Sequence, residues 1–319
     1  MVMFFSRSFI QYKSKKYYVL LLVPFLFSYY LCSLIIFDSK SPSMEFNSKT
    51  TDSSKAVIFY CSGQMEEYSP QDAGNLLKSE NTLLKPLYAR KLKAIYKKID
   101  FSQQNDSVLQ VAMELKNSLL RNYPYYFYIA YSDYYPNLYT AIQASIHDGC
   151  GNIQILNYSS KKLALSQEFA MQLKKHKISV EITPCVYSAT NFPIAITRII
   201  EASTQKQDGI LLLSNATHAN NAEKISSLLV SKGYLKENII VSPKATANLD
   251  AAFQSFSNKK VKNMFYVNLE NDNFDYTTKL LLDDLSKKYS GVLKTSGSNN
   301  WGYNKFLVRA AIEVLRNKQ

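Results

Sequence analysis

The sequence predicts an α/β protein made of two similar halves, each organised around a parallel sheet. Short apolar runs alternate with longer segments whose apolar residues recur at helical spacing, the pattern of strand–helix–strand units. The pattern restarts at Ile210, so the runs at Val57, Tyr126 and Ile153 have counterparts, in order, at Leu211, Ile239 and Met264. The run Ile210-Leu211-Leu212-Leu213 is continuous rather than alternating, which suits a strand covered on both faces.

Residues 1–16 form a basic tail carrying Arg7, Lys13, Lys15 and Lys16. Residues 17–37 are almost wholly apolar and uncharged. As a helix they would reach about 31 Å, enough for a bilayer core. Tyr17, Tyr18, Tyr29 and Tyr30 suit the interfaces, and the basic excess lies on the N-terminal side. The expectation is a single-pass membrane anchor, with the N-terminus cytosolic and the main domain on the far side. A cleaved signal peptide is the first rival, although a small-x-small cleavage site is not evident; an organellar presequence is the second, since the first 37 residues have no acidic side chain. Residues 38–55, rich in Ser, Thr, Lys and Asp, read as a linker.

In the first half, 56–195, residues 56–61 predict a strand that ends in a Ser62-Gly63 loop. Residues 83–99 predict an amphipathic helix with Leu84, Leu87, Tyr88, Leu92, Ile95 and Ile99 on one face. A second helix covers 108–120, a strand 125–130, and a helix 135–147 stopped by Asp148-Gly149. Then follow a strand at 152–156, a helix at 163–175, a strand at 179–183 and a helix at 193–203 with Pro193 in its first turn. The second half, 196–319, predicts strands at 210–213, 238–241 and 261–269. Its helices fall at 220–232, capped by Gly233, and at 248–256, 274–288 and 303–315.

Composition narrows the partners. The net charge is +13, from 38 basic and 25 acidic residues, but the basic residues are scattered over helix faces. No Lys/Arg block with interleaved aromatics marks a nucleic-acid groove, so no nucleic-acid partner is expected. Glycine-rich phosphate loops are absent. Cys32, Cys61, Cys150 and Cys185 form no C-x-x-C pair, and buried thiols are the ordinary reading of those near strands. His147 at a helix end reads as a partner of the helix dipole, and His176, between lysines, as a surface residue.

The order of motifs over 56–319 resembles the ferrochelatases, which insert iron into protoporphyrin, within the wider class II chelatases. The first strand with Ser62-Gly63 is similar to that family's opening strand and glycine turn. Lys85-Pro86-Leu87-Tyr88-Ala89 is similar to its Ser-Pro-Leu segment. Residues 131–156, with Tyr135-Pro136-Asn137-Leu138 opening a helix that ends at Asp148-Gly149, match best. Residues 214–233 resemble the sirohydrochlorin cobaltochelatases equally well. The resemblance implies two Rossmann-like halves and a tetrapyrrole partner. It also implies a divalent metal, iron or alternatively cobalt, as substrate rather than as a resident cofactor.

The chain departs from the family at its metal-handling positions. Ala216 stands where a histidine is expected, and His218 is the nearest imidazole. Asp275 and Thr277 align with the family's second His and its Glu; a short gap would bring in Glu270 or Asp272 instead. Imidazole and carboxylate are the groups that strip pyrrole protons and pass on an ion near neutral pH. The candidates are therefore His218, Glu270 and Asp275 for catalysis and His218 with Asp272 for metal. Ser62, Gly63, Tyr131, Tyr134 and Ser214 are candidates for the ligand. The bland alternative has His218 capping the next helix or lying in solvent, and the acids decorating a loop.

Three functions follow as expectations: a membrane-anchored metal chelatase, a lyase, with a rearranged site; a catalytically dead chelatase-fold protein that binds a tetrapyrrole or a partner; or a different membrane-tethered α/β domain, such as a sensor.

Overall fold

The computed structural model describes residues 24–28, 51–63, 85–96, 106–121, 125–132, 135–160, 162–272, 276–298 and 300–316. Within these, residues 51–53, 85, 95–96 and 276–277 are described by their backbone alone. The chain divides into two compact units: residues 1–43 with 65–100, and residues 44–64 with 101–319. In the smaller unit residues 24–28 are helical, and α1 spans Lys85–Tyr96, burying Ala89 and Leu92 while Leu87 is exposed. Among the described residues no helix is long and apolar enough to cross a membrane. Most of 17–37, the expected anchor, lies outside the described residues.

The larger unit carries both sheets. Its elements are β1 (Thr51–Cys61), α2 (Asp106–Leu120), β2 (Tyr125–Tyr131), α3 (Leu138–His147), β3 (Cys150–Asn157), α4 (Gln167–Lys175), β4 (Ser179–Ile182) and α5 (Asn191–Ser203). They continue as β5 (Gly209–Leu213), α6 (Ala219–Ser231), β6 (Ile239–Ser242), α7 (Thr246–Asn258), β7 (Asn263–Asn268), α8 (Tyr276–Lys288), β8 (Lys294–Ser298) and α9 (Lys305–Arg316). The first sheet runs β2-β1-β3-β4 and the second β6-β5-β7-β8, and every pairing is parallel. The two halves thus share one strand order, as the restart at Ile210 predicts.

Strand periodicity explains the layering. In β1, Val57, Phe59 and Cys61 face a core shared by both halves, while Ala56 and Ile58 face a separate outer core. In β5, Ile210 and Leu212 face the shared core, and Leu211 and Leu213 the outer one. Helices α2, α5, α6 and α9 fill the shared layer with residues such as Leu115, Ile196, Ile225 and Val314. Helices α3 and α4 cover the outside of the first sheet, α7 and α8 that of the second.

The C-terminal helix α9 returns to the first half. Gln154 Nε2 donates to the Leu315 carbonyl at 3.1 Å, and the Glu313 carboxylate accepts from the Asn191 amide N–H at 3.2 Å and side chain at 2.8 Å. Thr190 also hydrogen-bonds Glu313 through its N–H, at 2.8 Å, and its hydroxyl.

One strand departs from the sequence expectation. Lys294–Ser298 has no apolar run, yet it pairs in parallel with β7. As an edge strand it needs backbone partners on one side only. Gly297 lies over Tyr266, where an added Cβ would stand 2.4 Å from the Tyr266 carbonyl oxygen and ring, so the close approach requires glycine.

Candidate functional site

In parallel sheets, loops at the C-terminal strand ends collect chemistry. Here such loops from the two halves meet. Asp272, four residues beyond β7, is 1% exposed. Its carboxylate accepts from the Ser62 N–H at 2.6 Å, the Ser62 hydroxyl at 2.8 Å and the Ser160 N–H at 3.3 Å. Ser62 follows β1 and Ser160 follows β3, so a second-half acid is seated in a first-half cradle. Burial raises the Asp272 carboxyl above its ordinary value, and the Ser62 and Ser160 hydrogen bonds oppose that rise. Gly63, beside Ser62, is buried.

Below this bridge the shared core is aromatic. Trp301, following β8, is fully buried against Tyr158 at 5.4 Å and Phe192 at 4.8 Å, ring centre to ring centre, both edge-on. Its Nε1–H donates to the Leu269 carbonyl at 3.0 Å. Tyr158 stacks in turn on Phe59 at 4.8 Å.

His218 ends the 3₁₀ turn Ala216–His218 and immediately precedes α6, yet its side chain caps nothing and it is 2% exposed. The Asn215 Oδ1 accepts from the Thr217 N–H at 3.0 Å and the His218 N–H at 3.2 Å, and lies 3.0 Å from His218 Nδ1. An amide oxygen only accepts, so the third contact places the proton on Nδ1. Burial, and then the Lys244 charge, lower the His218 pKa. A neutral ring with its proton on Nδ1 leaves Nε2 as a bare lone pair, and among the described residues this buried atom has no hydrogen-bond partner. The ring lies 4.6 Å from that of Tyr187.

Lys244, whose charge acts on His218, pairs with Glu270 at 3.4 Å. The Glu270 N–H donates to Asn268 Oδ1 at 3.1 Å. Ser214 is buried, with its N–H on the Ser242 carbonyl at 3.0 Å. Tyr131 packs against the shared core. Ser62 and Asp272 are brought into direct contact; His218 and Glu270 share Lys244. Tyr134 and Asp275 lie outside the described residues. Among the described residues no three His, Cys, Asp or Glu side chains are placed to hold a metal ion together.

Sequence reasoning missed a first-half network. Asn157, 1% exposed at the end of β3, donates through Nδ2 to Cys185 Sγ at 3.1 Å, and its Oδ1 accepts from the Ser159 N–H at 3.2 Å. Cys185 also hydrogen-bonds Tyr187; burial is the main cause that raises its thiol, with Asp272 adding to it. Polar residues at the ends of apolar runs, Asn157 after Ile155-Leu156 above all, were the available signal.

No family model matches the chain, and no curated protein matches its sequence. Solved structures do. The sirohydrochlorin chelatase from Bacillus subtilis subspecies spizizenii, in complex with cobalt, is 11% identical with a TM-score of 0.50, over 82% of this chain and 94% of that one. The Bacillus subtilis SirB protein with Fe3+ is 10% identical with a TM-score of 0.52, over 82% and 94%. A multi-domain protein of Deinococcus radiodurans with structural similarity to chelatases is 10% identical with a TM-score of 0.51, over 83% of this chain and 56% of that one. At these identities the likeness shows a chelatase-like α/β fold, and it does not single out the ferrochelatases.

Proposed function

We infer that this protein binds a tetrapyrrole between its two halves without inserting metal into it. The observation that carries the reading is that the two described acids that insertion would use are otherwise engaged and that the expected histidine is missing. Asp272 is seated on Ser62 and Ser160, Glu270 is paired with Lys244, and Ala216 replaces the histidine that the family resemblance puts at this turn. The chelatase-like fold supports the ligand class. The test is titration of sirohydrochlorin and of protoporphyrin into the full-length protein in detergent, followed by absorbance, with and without Co2+ or Fe2+. The expected result is a saturable spectral shift on binding, with metal insertion no faster than in buffer. Absence of any shift would sink the reading.

A second reading, metal insertion, is favoured by the bare Nε2 of His218. Inserting a divalent iron or cobalt ion displaces two pyrrole N–H protons; Nε2 is able to accept one of them, and a carboxylate or solvent water takes the other. Asp275 and Glu270 would assist, and Asp272 would serve the ion only after leaving Ser62. Under this reading His218→Ala lowers the insertion rate by about 10²–10⁴-fold, the ordinary cost of a positioned base. Both readings keep residues 17–37 as the anchor. Co-sedimentation of the full chain with liposomes, lost when 1–40 are removed, is the expected behaviour.

A further inference from the structure

We propose that Asp272 is a built-in competitor, occupying a carboxylate cradle that in the bound state receives a carboxylate of the ligand. The proposal rests on the tetrapyrrole-binding reading and adds which ligand group is recognised and what holds its place in the unbound state.

The cradle is made by two loops of one half, the Ser62 N–H and hydroxyl and the Ser160 N–H. Converging backbone N–H groups at strand ends are a general means of holding an oxyanion. The group they hold comes from the other half, 210 positions away in sequence from Ser62. Asp272 is buried there, and among the described residues no lysine or arginine pairs with it. An external carboxylate would make the same three hydrogen bonds, while Asp272 would recover the hydration that burial denies it. The exchange is therefore like for like: the entering carboxylate gives up the hydration that Asp272 recovers, and both make the same hydrogen bonds.

Asp272→Ala and the near-isosteric Asp272→Asn test this in the full chain in detergent. Each is titrated with tetra(4-carboxyphenyl)porphyrin and with the cationic tetra(N-methylpyridyl)porphyrin, and folding is checked by circular dichroism. Removing the competitor should tighten the carboxylated porphyrin by about tenfold, because a self-occupied site taxes affinity by the fraction that is open. The cationic porphyrin should not gain. A merely structural Asp272 would give weaker or unchanged binding, and that overturns the proposal.

Amide NMR separates the two levels of inference. In Asp272→Asn, acetate should shift the Ser62 and Ser160 amide signals saturably, and the wild type should resist. If acetate does so while neither porphyrin binds, the cradle stands and the tetrapyrrole reading fails. If porphyrin binds but neither substitution tightens it, the cradle proposal fails alone. A response to inorganic phosphate at lower concentration than acetate would overturn the choice of carboxylate.

Discussion

Replacing Trp301 by alanine should loosen the joint between the two halves. The indole is fully buried, follows the last strand of the second half, and touches Tyr158 after β3 and Phe192 in α5. Truncating a buried tryptophan costs about 3–5 kcal/mol. Within that, each edge-on aromatic pair is worth about 0.5–1.5 kcal/mol beyond area burial. Also within it falls the penalty of the orphaned Leu269 carbonyl, which now accepts the Nε1–H at 3.0 Å, about 1–3 kcal/mol. A loss near 4 kcal/mol is a large share of a typical stability of about 5–15 kcal/mol. It should lower the melting temperature by roughly 10 °C in a unit of this size. Trp301→Phe keeps a ring and loses the donor, so it should fall between wild type and alanine. The assay is urea unfolding followed by circular dichroism. In the wild type, the emission of this single tryptophan should change in the same transition as the dichroism, because the joint and the sheets unfold together. An alanine variant within about 1 kcal/mol of wild type would refute the claim that this contact holds the halves together.

Other outcomes follow from the same geometry. The His218 pKa lies below its ordinary 6.5, so the unfolded chain binds the extra proton first; stability should fall as pH drops through 6.5 and below, and His218→Gln should remove that slope from unfolding curves at pH 5–8. Burial alone would raise Glu313, but hydrogen bonds from Thr190 and Asn191 outweigh it and hold it below 4.5. Its stabilisation is present above that value and lost as pH falls through the folded pKa; Glu313→Gln should cost about 1–3 kcal/mol at pH 7 and progressively less as the pH falls below 4.5. Gly297→Ala forces a Cβ to 2.4 Å from Tyr266 and should destabilise by about 1–3 kcal/mol in thermal melts, whereas Gly291→Ala, where nothing lies within 4 Å, should be close to neutral.

Much of the fold was legible because the shared core imposes period. The apolar runs of β1, β3, β5 and β7 are sandwiched between helices, and helices such as α6 and α7 present an apolar stripe, so both announce themselves. The edge strand β8 was not legible. Lys294, Ser296 and Gly297 are exposed, and what makes the segment a strand is its pairing with β7. The helix expected over 163–175 begins only at Gln167, because Ser166 caps it by accepting from the Phe169 N–H at 3.3 Å. Likewise Asn137 caps α3 and moves its start from 135 to Leu138.

The site was legible as an inventory but not as a set of pairings. The loop after β7 offers Glu270, Asp272 and Asp275 within six residues, and sequence spacing alone makes them interchangeable. The fold separates the two it describes. Glu270 stays within its own half on Lys244, while Asp272 crosses to Ser62 and Ser160 in the other. That division depends on which loops a duplicated fold brings face to face, and no local window contains both partners. His218 shows the same dependence. Its identity announces an acid, a base or a ligand, but Asn215 decides which nitrogen carries the proton, and burial with Lys244 lowers the pKa and so favours the neutral ring. The same imidazole facing solvent would titrate near neutral pH with both nitrogens hydrated. Chemistry at these loops is thus a property of contacts between halves and of second partners, so substitutions at Asn215, Lys244 and Ser62 should alter it as deeply as substitutions at His218 or Asp272.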